Sequence, residues 1–211
     1  MQNNSLTDKV LHERVVRLPY YDCDGITIYN EDFNSVLPQL PKIDTIITDP
    51  PYPDYYVDEY KYYDGILDFA QNYECRQLIF WSSKVDFPLD YTAIHIWDKK
   101  TGCGSEYEKI YERNGHKNYK VFSHYLINSS VAASYSGDIF HGHKSQKPIK
   151  LMMELIEKFS NKNDIILEPF MGSGSTLLAA KKLGRRAIGI EINKKWCDVA
   201  VKRLAQIEMF S

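Results

Sequence analysis

The sequence predicts a single α/β domain over residues 1–211, built on an open sheet with helices on both faces. Three apolar segments lead to this prediction. The run from Ile43 to Thr48 stops at two prolines, which is typical of a buried strand because proline offers no N–H to a sheet. Asp164 to Glu168 leads through a glycine-rich turn into a helix. Arg186 to Ile190 follows that helix, so strand, turn, helix and strand form a repeating α/β unit.

The other elements follow from local periodicity and turn residues. Further strands are predicted at Ile26–Tyr29, Gln77–Trp81 and Thr92–Trp97, and helices at Phe33–Leu37, Ile66–Tyr73, Ile149–Phe159, Leu177–Leu183 and Lys194–Ile207. Ser145 is a candidate N-cap and Pro148 a first-turn residue of the helix that begins near Ile149. Asp22 to Gly25 is predicted as a turn, and His95, within an apolar strand, as a core residue.

Composition is ordinary for a globular domain. The chain has 44% hydrophobic residues and a net charge of -2, and its polar amino terminus predicts a cytoplasmic protein with no membrane segment. The four cysteines have no metal-ligand spacing, so we expect free thiols and no metal. Residues 98–150 carry eight Lys and one Arg against five acids, which predicts a DNA-facing surface; a solvated loop of mixed charge would look similar.

Asp49-Pro50-Pro51-Tyr52 follows a strand's carboxyl end, where ligands bind in open α/β sheets. Asp49 and the Pro50 carbonyl are acceptors in a stiff turn, and they suit a substrate that brings donors, such as the exocyclic amine of a nucleobase. Accepting both amine N–H bonds would favour a more tetrahedral, nucleophilic nitrogen. Tyr52 would offer a flat face to an extruded base. A strand-to-loop turn with an incidental acid is the alternative.

This tetrapeptide resembles the catalytic motif of amino-methyltransferases that act on DNA. The stretch Glu168-Pro169-Phe170-Met171-Gly172-Ser173-Gly174-Ser175-Thr176 resembles their S-adenosylmethionine motif. The catalytic motif comes first, as in the β-class N6-adenine and N4-cytosine enzymes, and the resemblance covers roughly residues 25–205. It implies a circularly permuted Rossmann-like fold with a mixed seven-stranded sheet, in which Ile26–Tyr29 is the strand that would otherwise follow the last helix.

The resemblance also implies roles for residues around the cofactor. Asp32 would accept a hydrogen bond from its adenine amine, although an N-cap role is the alternative. His143 and Lys147, in a stretch similar to the family's His-Pro-Thr-Gln-Lys-Pro, are candidates for its carboxylate. Glu191 would bind the ribose hydroxyls. Further cofactor-binding candidates are Asp49, Glu168, Phe170, Gly172, Ser173, Gly174, Ser175 and Thr176. Most relatives have Asp at the position of Glu168.

The function implied is methyl transfer from S-adenosylmethionine to adenine N6 in DNA, as in restriction-modification or phage enzymes. Asp before Pro-Pro-Tyr favours adenine in this family. N4-cytosine methylation, RNA methylation and a non-catalytic DNA-binding subunit are the alternatives. Residues 100–144 leave little room for a target-recognition insert, so we expect a short or degenerate site and a homodimer or a partner.

Overall fold

The computed structural model describes residues 16–51, 65–101 and 106–208. Within these ranges one sheet contains nine strands. They are β1 (Tyr21–Cys23), β2 (Ile26–Tyr29), β3 (Thr45–Thr48), β4 (Arg76–Trp81), β5 (Ala93–Asp98), β6 (Tyr107–Arg113), β7 (Val121–Ser123), β8 (Ile165–Glu168) and β9 (Arg186–Ile190). The helices are α1 (Phe33–Val36), α2 (Gly65–Asn72), α3 (Ser130–Ser136), α4 (Ile149–Phe159), α5 (Ser175–Lys182) and α6 (Lys194–Glu208).

The sheet order is β1-β2-β9-β8-β3-β4-β6-β5-β7. The pairs β2–β9, β9–β8, β8–β3 and β3–β4 are parallel, whereas β6 runs antiparallel between β4 and β5. The strand β2 therefore lies beside β9, as the permuted order requires. The prediction of seven strands was short by two, because β1 and β7 are three-residue edge strands with weak patterns. The turn predicted over Asp22–Gly25 is confined to Asp24 and Gly25, because Asp22 and Cys23 pair with β2 as part of β1.

Two apolar layers cover the sheet. One core cluster joins the sheet to α4, α5 and α6, and includes Ile47. A second cluster on the other face contains Phe33 of α1 and Phe69 of α2, and includes Ile46. Because side chains alternate across a strand, the adjacent Ile46 and Ile47 enter opposite layers. Both faces of β3 are thus buried, and its end is fixed in position.

His95 is a core residue, as predicted. Its side chain is fully buried, and its Nε2 lies 3.0 Å from Glu112 Oε2. Arg76 Nε lies 3.1 Å from the other oxygen of Glu112. Burial lowers the pKa of His95. This cluster of charged groups has a structural role in the sheet.

The start of α4 differs from the prediction. Pro148 is the N-cap residue and makes no side-chain capping bond, so Ser145 does not cap this helix. The first helical N–H, that of Ile149, instead donates to Asp138 Oδ2 at 2.9 Å. Asp138 is eleven residues upstream and lies just after α3, a helix that the sequence pattern did not reveal.

No helix in residues 16–51, 65–101 and 106–208 is long and apolar enough to cross a membrane. The same residues contain no group of three or more His, Cys, Asp or Glu that could hold a metal ion. Cys23, Cys75 and Cys197 are free, and Cys103 lies outside the described residues.

Candidate active site at the carboxyl edge of the sheet

One cavity of about 490 Å³ lies at the carboxyl ends of β2, β9, β8 and β3. Its volume is within the range of small-molecule sites. Each of these four strands contributes the residues that follow it, and the segment before α4 closes one side. The lining includes Glu31, Asp32, Phe33, Asp49, Pro50, Pro51, His143, Lys147, Glu168, Phe170, Gly172, Ser173, Ser175, Thr176, Glu191 and Trp196.

Every site residue predicted from the sequence, except Tyr52 and Gly174, lines this cavity. Tyr52 and the tyrosine-rich segment 53–63 lie outside the described residues. Gly174 lies behind the cavity, at the N-cap of α5, with φ +81°. A Cβ at Gly174 would stand 2.7 Å from Ala200 Cβ, so this glycine allows α6 to approach the turn.

The turn from Met171 to Gly174 is held against the sheet and against the segment before α4. The Met171 N–H donates to the Ile190 carbonyl at 3.0 Å. Gly172 has φ +50°, and a Cβ there would stand 2.8 Å from His143 Nε2. The His143 ring packs against Trp196, with centroids 4.5 Å apart. Burial, together with nearby cations, lowers the pKa of His143 to about 4, so the imidazole is neutral at neutral pH.

Glu191 is a buried carboxylate fixed by backbone donors. Its Oε2 accepts from Gly172 N–H at 3.0 Å and its Oε1 from Asn193 N–H at 2.8 Å. Burial nevertheless raises the pKa of Glu191 to about 7. Additional donors from a ligand would stabilise the ionised form.

Glu168 is buried at the end of β8. Thr176 Oγ1 donates to its Oε2 at 3.0 Å, and Phe170 N–H donates to its Oε1 at 3.3 Å. Burial raises the pKa of Glu168 to about 8, and the charge of Asp49 adds to this. Glu168 therefore ties the strand to the first turn of α5 and is largely protonated at neutral pH.

Asp49 stands in a different electrostatic setting. Lys147 Nζ donates to Asp49 Oδ2 and lies 3.3 Å from Glu108 Oε2. Glu108 also pairs with Lys99 at 2.9 Å. Burial alone would raise the pKa of Glu108, but Lys147 and Lys99 together lower it. The ammonium of Lys147 is thus engaged by two carboxylates of the protein itself.

The far end of the cavity is apolar, with one exposed acid. Phe170 and Phe33 are in contact, with ring centroids 5.4 Å apart. Asp32 is exposed at the rim and is the N-cap of α1, since its Oδ1 accepts from Asn34 N–H at 3.0 Å. Asn30 holds this rim to the next strand end by donating to the Glu191 carbonyl at 2.9 Å.

Two charged residues of this region were not assigned a site role from the sequence. Arg203 of α6 is buried, and its guanidinium donates to the Ser173 carbonyl at 2.6 Å and to Ser173 Oγ at 3.1 Å. A cation on the apolar face of α6, one turn after the buried Ala200, was the available signal. Glu108 is the second of these residues, and no local sequence pattern indicated that it reaches Lys147.

The family model described as DNA methylase, for N6 and N4 methyltransferases, matches residues 68–202. The chain belongs to this DNA methylase family. Among curated relatives, the chain is 48% identical over 66 residues to the type II methyltransferase M.HinfI of Haemophilus influenzae, covering 31% of this chain and 18% of that protein. It is 34% identical over 142 residues to M2.LlaDCHI of Lactococcus lactis subsp. cremoris, covering 64% of this chain and 46% of the relative. The aligned part thus spans less than half the length of both relatives.

Solved structures match more of the chain. A complex of M1.HpyAVI with SAM superimposes with a TM-score of 0.58 at 27% identity, and the match covers 85% of this chain and 100% of that chain. The PvuII DNA methyltransferase, described as cytosine-N4-specific, has a TM-score of 0.65 at 15% identity and covers 89% of both chains. At that identity the second match supports the fold alone.

Proposed function

We propose that this chain transfers a methyl group from S-adenosylmethionine to the N6 amine of adenine in DNA. One observation carries the proposal. A single cavity joins the Asp49-Pro50-Pro51 turn to the glycine turn of Met171 to Gly174 and to Glu191. Acceptors for an amine and a site for a nucleoside cofactor therefore face the same space.

The residues present fit S-adenosylmethionine. Glu191 is a buried acceptor whose raised pKa, about 7, suits hydroxyl donors such as those of a ribose. Phe170 and Phe33 offer an apolar surface to an adenine ring, with Asp32 at the rim to accept from its amine. Gly172 has no side chain, and a Cβ at this position would clash with His143. The cofactor would supply an electrophilic methyl group on a sulfonium.

The chain's own contribution is to bind and orient the target amine. Asp49 and the Pro50 carbonyl accept its two N–H bonds, which directs the nitrogen lone pair toward the methyl group. Asp49 does not need to be a strong base, since the methylated nitrogen loses its proton readily. The base reaches this site only when it is extruded from the duplex, and Tyr52 is proposed to stack on it.

DNA is proposed to bind along the same edge, beyond Asp49. β5 and β7 are parallel and end there at Asp98 and Ser123. Lys100 lies 5.3 Å from the Tyr125 ring centre, and Tyr125 packs against the exposed Tyr135 of α3, with ring centroids 5.6 Å apart. Lysines beside exposed aromatic rings suit phosphates and unstacked bases.

The rest of residues 106–144 leaves few groups for reading base edges, because β6 and β7 belong to the sheet. We therefore propose a short or degenerate recognition site and a homodimer that extends the basic surface. Base-resolved mapping of methylation and molar mass from light scattering test both parts. One long unambiguous site methylated by a strict monomer would contradict them.

The methyl acceptor is tested by nucleoside mass spectrometry. Unmethylated DNA is incubated with the protein and S-adenosylmethionine carrying a deuterated methyl group. We expect labelled N6-methyldeoxyadenosine from the wild type and none from Asp49→Ala. Labelled N4-methyldeoxycytidine would assign the alternative base. A protein that binds DNA and cofactor but yields no labelled nucleoside would contradict catalysis and favour a binding subunit.

A further inference from the structure

The segment before α4 places a buried ammonium between two carboxylates. Lys147 has a side chain only 8% exposed, and it contacts Asp49 at the end of β3 and Glu108 on β6. Its Nζ lies 4.9 Å from the Phe80 ring centre and 5.7 Å from that of Trp97. Because a buried ammonium is costly unless it is paired, these contacts fix its position.

The topology explains why Glu108 can reach this corner. β6 runs antiparallel to β4 and β5, so its first residues lie at the edge where its neighbours end. Glu108 stands opposite Trp97 in the register, and Trp97 is two residues before Lys99. The charges then alternate from Lys99 to Glu108, Lys147 and Asp49, with contacts of 2.9 Å and 3.3 Å for the first two pairs.

We propose that Lys147 and Glu108 are positioning residues that keep Asp49 ionised and fixed for the target amine. Lys147 is thereby assigned to Asp49 and not to the cofactor carboxylate. The inference rests on the proposed methyl transfer, in which Asp49 is an acceptor. A protonated Asp49 would present a donor to the amine and lose that role.

Other charged groups around the cavity also act on the ionisation of Asp49. Glu168 faces Asp49 from the end of β8, and Glu31, Asp32 and Glu191 line the same cavity. His143 faces Lys147 from the same segment, and Lys195 lines the far wall. Lys147 places a cation in contact with Asp49, and this contact opposes the effect that neighbouring carboxylates have on Asp49.

Replacing Lys147 and replacing Glu108 should shift the pH dependence of kcat/KM in opposite directions. In Lys147→Met the acidic limb of kcat/KM moves toward neutral pH by about one unit or more, since an opposite charge at contact shifts a carboxyl by that amount. Part of the lost rate returns at higher pH. Lys147→Arg keeps the limb near its wild-type position. In Glu108→Gln the ammonium is left to Asp49 alone, so the limb moves the other way.

A second readout is independent of catalysis. Carbon NMR on protein with isotope-labelled aspartate, without DNA or cofactor, gives the titration midpoint of the Asp49 carboxyl, assigned by its loss in Asp49→Asn. We expect the midpoint to rise in Lys147→Met and fall in Glu108→Gln. Lys158→Met is the matched control, because Lys158 pairs with Glu154 on the exposed side of α4.

Unchanged midpoints in both variants, or shifts of the same sign, would overturn the proposal even if the wild type methylates DNA. If Lys147→Met fails to fold, the downward shift in Glu108→Gln carries the test alone. A wild type without methyl transfer but with the expected shifts would contradict the proposed function and leave the arrangement of Asp49, Lys147 and Glu108 supported.

Discussion

The two ends of the cavity hold their carboxylates in opposite ways. At the glycine turn, Glu168 and Glu191 accept from N–H and O–H groups, and burial raises their pKa values to about 8 and about 7. At the other corner, Asp49 and Glu108 share the ammonium of Lys147, and the pKa of Glu108 is lowered. Both corners lie at the same edge of one sheet, and the ammonium of Lys147 in contact with Asp49 and Glu108 distinguishes the second corner.

This difference indicates a division of labour. Carboxylates with raised pKa values gain most from a ligand that brings hydroxyl donors or positive charge, and a sulfonium nucleoside brings both. A carboxylate that carries its own ammonium stays ionised whether or not a ligand is present. We therefore propose that the glycine-turn corner binds the cofactor and that the Asp49 corner orients the amine.

The largest expected effect is on the rate when Asp49 is removed. Asp49→Ala loses the acceptor for the amine, and we expect methyl transfer to fall by about 10³-fold or more, as for other groups that act on the reacting atoms. Cofactor affinity, measured by calorimetry, should stay within about tenfold, since Glu191 and the glycine turn remain. A wild-type rate in this variant would remove Asp49 from the mechanism.

Gly174→Val should disrupt the packing of α6 against the glycine turn. Gly174 has φ +81°, and its added Cβ would stand 2.7 Å from Ala200 Cβ. Strain and overpacking together should lower the free energy of unfolding by about 2–5 kcal/mol and weaken cofactor binding. Gly184→Val is the control: its φ is +62°, but nothing lies within 4 Å, so only the strain remains. Equal unfolding free energies for the two variants would argue against close packing of α6 on the turn.

Glu191→Gln tests the glycine-turn corner through the pH dependence of cofactor affinity. Hydroxyl donors prefer the carboxylate, so wild-type cofactor affinity should weaken as pH falls below about 7, the pKa of Glu191 in the protein alone. The variant should bind about 10-fold to 100-fold more weakly, the value of a hydrogen bond to a charged group, and lose much of this pH dependence. Calorimetry across pH measures both, with the exposed Glu157→Gln as control. A pH slope that persists unchanged in Glu191→Gln would assign it to another group.

The smallest effect concerns stability. Since the pKa of Glu168 rises from 4.5 to about 8 on folding, the folded state binds this proton more tightly. The free energy of unfolding should therefore fall as pH rises between these values, with a slope of at most about 1.4 kcal/mol per pH unit. Glu168→Gln keeps an acceptor for Thr176 and should lack this slope in urea titrations, whereas Glu157→Gln should retain it. An identical slope in all three proteins would contradict the raised pKa.

Strongly patterned segments were predictable from the sequence. β2, α4 and β9 have the bounds that periodicity predicts, and α6 ends one residue later. The short edge strand β1 and helix α3 were missed because three to seven residues carry little periodicity. The predicted N-cap of α4 was wrong because Asp138, from another segment, accepts from the first helical N–H. Local sequence rules do not include such a contact.

Most of the residues predicted for the site line one cavity, because the carboxyl ends of parallel strands meet at one edge of the sheet. Their electrostatics were not predictable in the same way. Lys147 was a candidate for the cofactor carboxylate, and in the structure it contacts Asp49 and Glu108, which are far from it in sequence. Long-range ion pairs depend on sheet order and on the reversed direction of β6, and neither is visible in a local motif.

The most direct test of the division of labour is the single-turnover rate of methyl transfer as a function of cofactor concentration, in Glu191→Ala and Asp49→Ala together. For Glu191→Ala we expect a higher half-saturating concentration and a rate that recovers toward the wild type at saturation. For Asp49→Ala we expect a near wild-type half-saturating concentration and a rate that stays low at every concentration. A rate that saturation restores in Asp49→Ala but not in Glu191→Ala would contradict the account.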